Sequence, residues 1–143
     1  MPGYSDSSFD GDKENGVSTS GYSMNLGSAA ISWRSRKKSV PVDSTTEAEY
    51  VAATQATKEI IWLRKILEYL QEKQKDSTPL FVDNSSAIQL AKNPKFHDQT
   101  KHINTEYHFI RRHVQAKTIH LTHYPTSEQI ADIFTKALGC EKF

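Results

Sequence analysis

Four carboxylates on four separate predicted elements are the candidates for chemistry in this sequence: Asp6, Glu49, Asp83 and Asp132. Carboxylate oxygens are the ligands that hard divalent cations such as Mg²⁺ prefer. An ionised carboxylate that faces a protein core costs free energy unless a positive charge compensates it, and a metal ion shared with other carboxylates is one such compensation. Metal-assisted chemistry therefore follows if the fold brings these four side chains together.

Glu49 lies at the head of the apolar face of a long helix predicted over residues 43–70. Ser44 and Glu47 form a capping box at its start, which already explains Glu47. Apolar residues then recur at spacings of three and four, and one turn back from the first of them lies Glu49. The stripe consists of Ala53, Ala56, Ile60, Leu63, Leu67 and Leu70. If the first turn protrudes beyond the core, Glu49 is simply solvated.

The other three carboxylates lie on shorter elements. Asp6 belongs to a predicted strand over residues 4–9, and Asp83 follows the apolar run 79–82, which is typical of a buried strand. Acidic residues at the carboxyl end of a central strand often belong to sites in α/β sheets, although Asp83 could equally cap a helix. Asp132 lies in a closing helix predicted over residues 127–138, after a capping box of Thr126 and Gln129. Periodicity alone does not assign Asp132 to a site.

The remaining segments supply the sheet and its connections. A hairpin is predicted over 20–26 and 29–34, followed by a helix at 87–92, a helix around 103–114 and a strand at 118–124. After the hairpin comes a basic run, which we expect on a connecting loop where it either binds phosphates, with Trp33 as a stacking surface, or is solvated. The run consists of Arg34, Arg36, Lys37 and Lys38. The histidines at 102, 108 and 113 lack the spacing of a helical zinc site.

Composition limits the function classes. The 143 residues suit one domain, and with 36% hydrophobic and 24% charged residues the chain is typical of a globular protein. The net charge of +1 provides no global field for nucleic acid, so any such binding depends on local patches. There is no apolar run of membrane-spanning length and no signal-peptide core. The single cysteine, Cys140, excludes an internal disulfide and a multi-cysteine zinc site, and it is compatible with a reducing compartment.

Successive blocks of the sequence carry a family resemblance. In chain order they are GYSD, STSGY, AISWRSRKK, STTEAEYVAAT, IIWLRKIL, FVDNSSAIQLAKNP, TKHINTEYHFIR and PTSEQIADIFTKAL. Together they resemble, nearly end to end, the ribonuclease H domain of copia-type LTR retrotransposon Pol polyproteins. The resemblance implies an α/β RNase H-like fold, with a mixed five-stranded sheet whose first three strands are antiparallel and with helices on both faces. It also implies a single domain over residues 1–143, excised from a longer reverse transcriptase polyprotein.

The resemblance assigns a role to each carboxylate. Asp6, Glu49, Asp83 and Asp132 match the family's catalytic and metal-binding set, which holds two Mg²⁺ ions, with Mn²⁺ as a substitute. Asp6 would bridge both ions, Glu49 and Asp83 would hold the ion nearer the leaving group, and Asp132 the ion that positions the attacking water. The implied reaction cleaves the RNA strand of RNA/DNA hybrids during reverse transcription, leaving 5′-phosphate and 3′-hydroxyl ends.

Further residues are expected to contact the hybrid, through its 2′-hydroxyl groups and its backbone. The candidates are Ser7, Ser8, Arg34, Arg36, Lys37, Asn84 and Ser85, although capping explains Asn84 and Ser85 equally well. His102 and His123 are candidates for an auxiliary role. The implied partners are the hybrid and the adjoining reverse transcriptase domain, with neither a membrane nor a disulfide-linked partner. The implied location is intracellular, in a cytoplasmic retrotransposon particle or in the nucleus.

Two other functions are compatible with parts of this pattern. The first is a catalytically silent hybrid-binding or connection module of a reverse transcriptase, but silent versions tend to lose acids and all four are present here. The second is an integrase or transposase core of the DDE type, whose Glu would lie on a late helix. The block DSSFDGD departs from the family's usual DADWAGD at Ser8, Phe9 and Asp10, which affects local packing, and Asp10 and Asp12 are expected to be solvated.

Overall fold

The computed structural model describes residues 1–9, 18–37, 44–92 and 104–136. Within these ranges the chain forms five strands and three α-helices, followed by two short 3-10 segments, Thr126–Glu128 and Ile130–Phe134. The strands are β1 (Gly3–Phe9), β2 (Ser18–Leu26), β3 (Ala29–Lys37), β4 (Thr78–Val82) and β5 (Ile119–His123), and the helices are α1 (Thr45–Tyr69), α2 (Ser85–Lys92) and α3 (Asn104–Gln115). Among the described residues no helix is long and apolar enough to cross a membrane.

The five strands form one mixed sheet in the order β3-β2-β1-β4-β5. Strand β1 is central: it pairs antiparallel with β2 and parallel with β4, while β2 and β3 are antiparallel and β4 and β5 parallel. This confirms the predicted sheet. Gly27 has a φ of +62° in the turn of the β2–β3 hairpin, a conformation that favours glycine.

The basic run does not lie on a connecting loop, contrary to the prediction. Pairing of β2 with β3 continues as far as Thr19 opposite Lys37, so Arg34, Arg36 and Lys37 belong to a strand. The alternation of a strand therefore decides which face each of these side chains uses. Lys38 lies outside the described residues.

Helix α1 is capped at Ser44 as predicted, and most of the predicted apolar stripe is buried. The Ser44 hydroxyl accepts a hydrogen bond from the N–H of Glu47 at 3.1 Å, which caps the helix. The stripe is buried from Ala53 to Leu67, and burying a side chain such as Ile60 stabilises the fold by roughly 1.5–3 kcal/mol. Leu70 is exposed because the helix ends at Tyr69, so the predicted stripe is one residue too long. The predicted start at residue 43 lies outside the described residues.

The hydrophobic core occupies one face of the sheet. Side chains of β2, β4 and β5 form a single buried cluster with all three α-helices, including Met24, Leu80, Leu121, Ile60, Ile88 and Ile110. The opposite face carries the segment Ile130–Phe134, which packs over β2. The hydrophobic core thus lies on one face of the sheet, and the segment Ile130–Phe134 contacts β1 and β2 on the other face.

The closing helix predicted over residues 127–138 is wrong for its described part. The chain instead forms 3-10 turns, in which the N–H of Thr135 bonds the carbonyl of Asp132 at 3.1 Å. Tertiary bonds hold this tighter geometry: the hydroxyl of Ser35 on β3 donates to the carbonyl of Phe134. Gln129 does not complete a capping box, because its side chain accepts from the N–H of Ala131. Residues 137 and 138 lie outside the described residues.

Candidate metal centre

Three of the four carboxylates converge at one end of the sheet. Asp6 on β1, Asp83 just after β4 and Asp132 in the segment Ile130–Phe134 each place a carboxylate oxygen within 4.8 Å of the others. Strands β1 and β4 are parallel neighbours, so their carboxyl ends lie side by side. The 3-10 segment brings in the third carboxylate from the sheet face opposite α1.

Glu49 lies beside this cluster, buried on the first turns of α1 with 6% of its surface exposed. One of its oxygens, Oε1, accepts two hydrogen bonds from Ser7, from the N–H at 3.2 Å and from the hydroxyl at 3.0 Å. Burial, followed by the negative charges of Asp83 and Asp6, raises the pKa of Glu49 to about 9. Glu49 is therefore not solvated, and without a cation it favours its neutral form at pH 7.

Asp6 is fully buried and forms the floor of the cluster. Its Oδ2 accepts a hydrogen bond from the Thr135 hydroxyl and lies 3.6 Å from the ammonium nitrogen of Lys136. Burial, and secondarily the contact with Asp132, raises the pKa of Asp6 to about 6, although Thr135 and Lys136 oppose this shift. With a pKa of about 6, Asp6 is mostly ionised at neutral pH, but by a smaller margin than an ordinary aspartate.

Lys136 brings positive charge to the acidic cluster. Its ammonium lies 3.2 Å from Oδ1 of Asp132, one helical turn back in the sequence, in addition to its contact with Asp6. Burial opposes its charge, but the carboxylates of Asp6 and Asp132 outweigh burial and raise the pKa of Lys136. The one positive charge of Lys136 offsets only part of the negative charge that the four carboxylates carry when all are ionised.

Two observations indicate that the site suits a divalent cation. Oδ1 of Asp6 and Oε2 of Glu49 are buried, and neither has a hydrogen-bond partner within the described part of the chain. Buried carboxylate oxygens of this kind normally have a partner, and metal coordination supplies one. The donor set consists only of carboxylate oxygens, which suits Mg²⁺, Mn²⁺ or Ca²⁺.

Several predicted substrate contacts are engaged inside the protein. Ser7 is occupied with Glu49, and Ser8 is buried. The side chain of Asn84 accepts from the N–H of Ala87 at 3.0 Å and so caps α2, while Ser85 is exposed on the first turn of that helix. Ser7 and Asn84 thus position other groups of the protein. Of these four residues, only Ser85 is exposed.

The remaining predicted residues lie on β3 and β5 or outside the described residues. Arg34 is exposed on β3, near the Tyr22 hydroxyl. Arg36 and Lys37 are exposed at the end of β3. His123 is exposed at the end of β5, in register with Val82, the residue before Asp83. His102 lies outside the described residues, as do Asp10 and Asp12.

Four residues that contact or support the cluster were not predicted as site residues: Gly21, Gln129, Thr135 and Lys136. A glycine within a strand signals a close approach of another segment, and this signal was present at Gly21. Gln129, Thr135 and Lys136 lie in the block PTSEQIADIFTKAL, yet nothing in its periodicity shows that its polar side chains face β1 and β4. Their contacts join residues up to 129 positions apart.

Comparisons with known proteins show which proteins this chain is related to. No protein-family model matches the chain. The retrovirus-related Pol polyprotein from transposon TNT 1-94 of Nicotiana tabacum is 41% identical over 143 residues, which is 100% of this chain and 11% of the relative. The corresponding polyprotein from transposon RE1 of Arabidopsis thaliana is 40% identical over 140 residues, 98% of this chain and 10% of the relative. The chain is a homologue of one segment of these transposon Pol polyproteins.

Solved structures show which fold this Pol segment has. LC11-RNase H1 in complex with RNA/DNA hybrid has a TM-score of 0.66 at 12% identity, over 93% of this chain and 91% of that chain. The N-terminal RNase H domain of a Mycobacterium tuberculosis protein has a TM-score of 0.68 at 11% identity, over 94% and 91%. Prototype foamy virus protease-reverse transcriptase matches with a TM-score of 0.63 at 14% identity, over 93% of this chain and 20% of that chain. The fold is therefore the RNase H fold, and the chain spans about a tenth of the length of the curated relatives it matches.

Proposed function

We propose that this chain is a ribonuclease H that hydrolyses the RNA strand of RNA/DNA hybrids with two divalent cations. The observation that carries the proposal is the convergence of Asp6, Asp83 and Asp132 within 4.8 Å, with Glu49 buried beside them. The transposon relatives and the RNase H fold support this reaction class over other metal-assisted hydrolyses. The proposal places the chain as one domain of a longer polyprotein, beside a reverse transcriptase domain, within a cytoplasmic particle or the nucleus.

The chain's own residues prepare the site in three ways. Asp6, Glu49, Asp83 and Asp132 would hold the two cations, which when bound activate water and stabilise the leaving 3′ oxygen. Ser7 fixes one oxygen of Glu49, leaving the other oxygen of that carboxylate available for coordination. Thr135 orients Asp6 in the same way, because it occupies Oδ2 and leaves Oδ1 unbonded within the described residues.

The basic end of β3 gives the hybrid a route across the sheet. Ser7 on β1 pairs with Ser20 on β2, and Ser20 pairs with Arg36 on β3. Adjacent strands are about 4.8 Å apart, so the backbone at Arg36 lies about 10 Å from that at Ser7. We infer that the exposed side chains of Arg36 and Lys37 bind backbone phosphates of a duplex whose scissile bond lies at the carboxylates.

The test is cleavage of a 5′-labelled RNA strand, presented as an RNA/DNA hybrid, as single-stranded RNA and as double-stranded RNA, with Mg²⁺ or Mn²⁺. The decisive variant is Asp83→Asn, which removes one carboxylate charge from the cluster. Asp76→Asn is the matched control, because it makes the same chemical change at an exposed aspartate before the other end of β4. We expect wild type and D76N to cut only the hybrid, and D83N to lose at least 100-fold in rate, on the order of the effect of losing one essential catalytic group.

The other outcomes separate the alternatives. Hybrid binding without cleavage, at high protein concentration and with Mn²⁺, would identify a silent binding module. Cleavage by D83N at the wild-type rate would refute the assignment of the carboxylates. Cleavage of all three substrates would show a nuclease with a different specificity.

A further inference from the structure

Gln129 connects the two segments that carry Asp83 and Asp132. Gln129 is buried, with 5% of its surface exposed. Its side-chain Nε2 donates to the carbonyl of Phe81 on β4 at 3.3 Å, and its Oε1 accepts from the N–H of Ala131 at 3.3 Å. One amide thus bonds both the strand that ends before Asp83 and the turn that contains Asp132.

The backbone of Gln129 adds a further bond to the same turn. Its carbonyl accepts from the N–H of Asp132 at 3.2 Å. Phe81 is two residues before Asp83, and Ala131 is adjacent to Asp132, so each contact lies within two residues of a cluster carboxylate. The covalent path between the two carboxylates passes through α2, α3 and β5, whereas the path through Gln129 crosses one side chain.

The chemistry of an amide suits this position better than that of any other neutral side chain of similar size. A primary amide donates through its nitrogen and accepts through its oxygen at the same end of the side chain. At Gln129 the two neighbours are a carbonyl and an N–H, which need one donor and one acceptor. Ionised glutamate would lack the donor, and methionine would lack both the donor and the acceptor.

We infer that Gln129 is a positioning residue, which sets the separation of Asp83 and Asp132 and thereby the affinity of the centre for a divalent cation. This inference rests on the proposed metal centre. Groups that orient ligands without touching the metal typically contribute about 10–100-fold to metal affinity. Because both polar atoms of the Gln129 amide are bonded to the backbone, its effect should appear as a change in cation affinity of the folded protein.

The test compares Gln129→Met, which removes a bond near the end of β4, with a variant that removes bonds at the start of β4. Arg64 on α1 donates to the carbonyls of Gln74 and Asp76 and to the Thr78 hydroxyl, at 2.7–2.9 Å, so it braces the start of β4 away from the carboxylates. Arg64→Met is therefore the control for a general loss of bracing. The dissociation constant of Mn²⁺ is measured by titration calorimetry at pH 7, and the free energy of unfolding is measured by urea denaturation with a chelator present.

We expect both variants to lose stability, but only Q129M to lose Mn²⁺ affinity, by about tenfold, with R64M within about twofold of wild type. If Q129M shows no cooperative unfolding, Gln129→Asn replaces it, since it keeps the amide but is one methylene too short to reach both partners. Wild-type affinity in the folded Gln129 variant, or an equal loss in R64M, would overturn the inference. If wild type itself binds no Mn²⁺, it is the proposed function that fails.

Discussion

Gly21 lies directly opposite Asp6 in the antiparallel pairing of β1 with β2, and the last described turn of the chain packs against its Cα. A Cβ at this position would be 2.7 Å from the Cβ of Phe134 and 2.9 Å from the Cγ2 of Thr135. Only a residue without a side chain lets Thr135 approach closely enough to bond Asp6. The geometry of the carboxylate cluster therefore depends on the lack of a side chain at Gly21 on the neighbouring strand.

The first prediction concerns this close approach. Gly21→Ala should push the turn that carries Asp132 and Thr135 away from β1, because the Cβ of Phe134 belongs to the backbone frame and cannot rotate aside. We expect a loss of about 1–3 kcal/mol in the free energy of unfolding, and a loss of Mn²⁺ affinity. Urea denaturation and titration calorimetry measure the two effects.

Gly3→Ala is the control for Gly21→Ala. A Cβ at Gly3 would also be too close to its neighbours, at 2.7 Å from the sulfur of Met24 and 3.1 Å from the Cδ1 of Ile60. These are ends of flexible side chains in the core, away from the carboxylates. G3A should therefore cost stability while leaving Mn²⁺ affinity unchanged. Equal affinity losses in both variants would show that the effect at Gly21 is not local.

The second prediction is a pH dependence of stability without a cation. The pKa of Glu49 rises from 4.5 to about 9 on folding, so between these values the folded state binds more protons than the unfolded state. The stabilisation is then fully present below pH 4.5 and is lost as the pH rises towards 9; Asp6 acts in the same direction up to about pH 6. With a chelator, the unfolding midpoint should fall steadily from pH 5 to pH 9.

A divalent cation should reverse this trend. Cation binding requires ionised carboxylates, so the increase in unfolding midpoint on adding Mg²⁺ should grow with pH. Glu49→Gln should flatten the pH dependence measured with a chelator, whereas Glu68→Gln, at an exposed position on the same helix, should leave it as in wild type. A wild-type midpoint independent of pH would contradict the raised pKa of Glu49.

The third prediction concerns Lys136 as a competitor of the cation. Its ammonium lies within 3.6 Å of both Asp6 and Asp132, so it competes with a bound cation for the negative charge of these two carboxylates. Lys136→Met should strengthen Mn²⁺ binding about three- to tenfold. With a chelator, it should lower the free energy of unfolding by about 1 kcal/mol or less, since the side chain is partly exposed.

The surface pair of Lys73 and Glu68, with an N–O distance of 3.4 Å, offers the control for Lys136→Met. Lys73→Met removes the same charge from a similar ion pair far from the carboxylates. Its Mn²⁺ affinity should equal that of wild type. Weaker cation binding in K136M would show instead that the ammonium supports the occupied site.

The fourth prediction tests the route of the hybrid over β3. In the Asp83→Asn background, which prevents cleavage, replacing both Arg36 and Lys37 by Gln should weaken hybrid binding. It should also reduce the slope of log affinity against log salt by about one for each phosphate that the variant no longer neutralises. Lys75→Gln, in the loop between α1 and β4, is the control that removes one exposed charge elsewhere. An unchanged salt slope in the double variant would exclude β3 from the interface.

Sequence patterns singled out two of the four carboxylates, because each follows or continues an element with a strong local signal. Glu49 continues a stripe of period 3.6 and Asp83 follows an apolar strand, whereas the short strand predicted around Asp6 carries no comparable signal. Asp132 had no such signal. Its segment is held as a 3-10 turn by Gln129 and by the hydroxyl of Ser35. The spacing of apolar residues in the sequence does not reveal such contacts.

The same reasoning explains the error in the basic run. Arg36 and Lys37 are polar and exposed, so composition favoured a loop over a strand. The strand extends to Lys37 because β2 supplies pairing partners as far as Thr19. The sequence of β3 alone does not show how far its partner strand extends. Family resemblance supplied the set of carboxylates, whereas the bonds that orient them are visible only in the three-dimensional structure.

The bond between Thr135 and Asp6 joins positions 129 residues apart. During synthesis from the amino terminus, β1 leaves the ribosome long before the turn that completes the carboxylate cluster, and at about 5–20 residues per second the interval is several seconds or more. A nascent chain that stops before this turn can form much of the sheet yet lacks the means to assemble the cluster. Under the proposed function, nuclease competence would thus arise late, as a property of the finished domain.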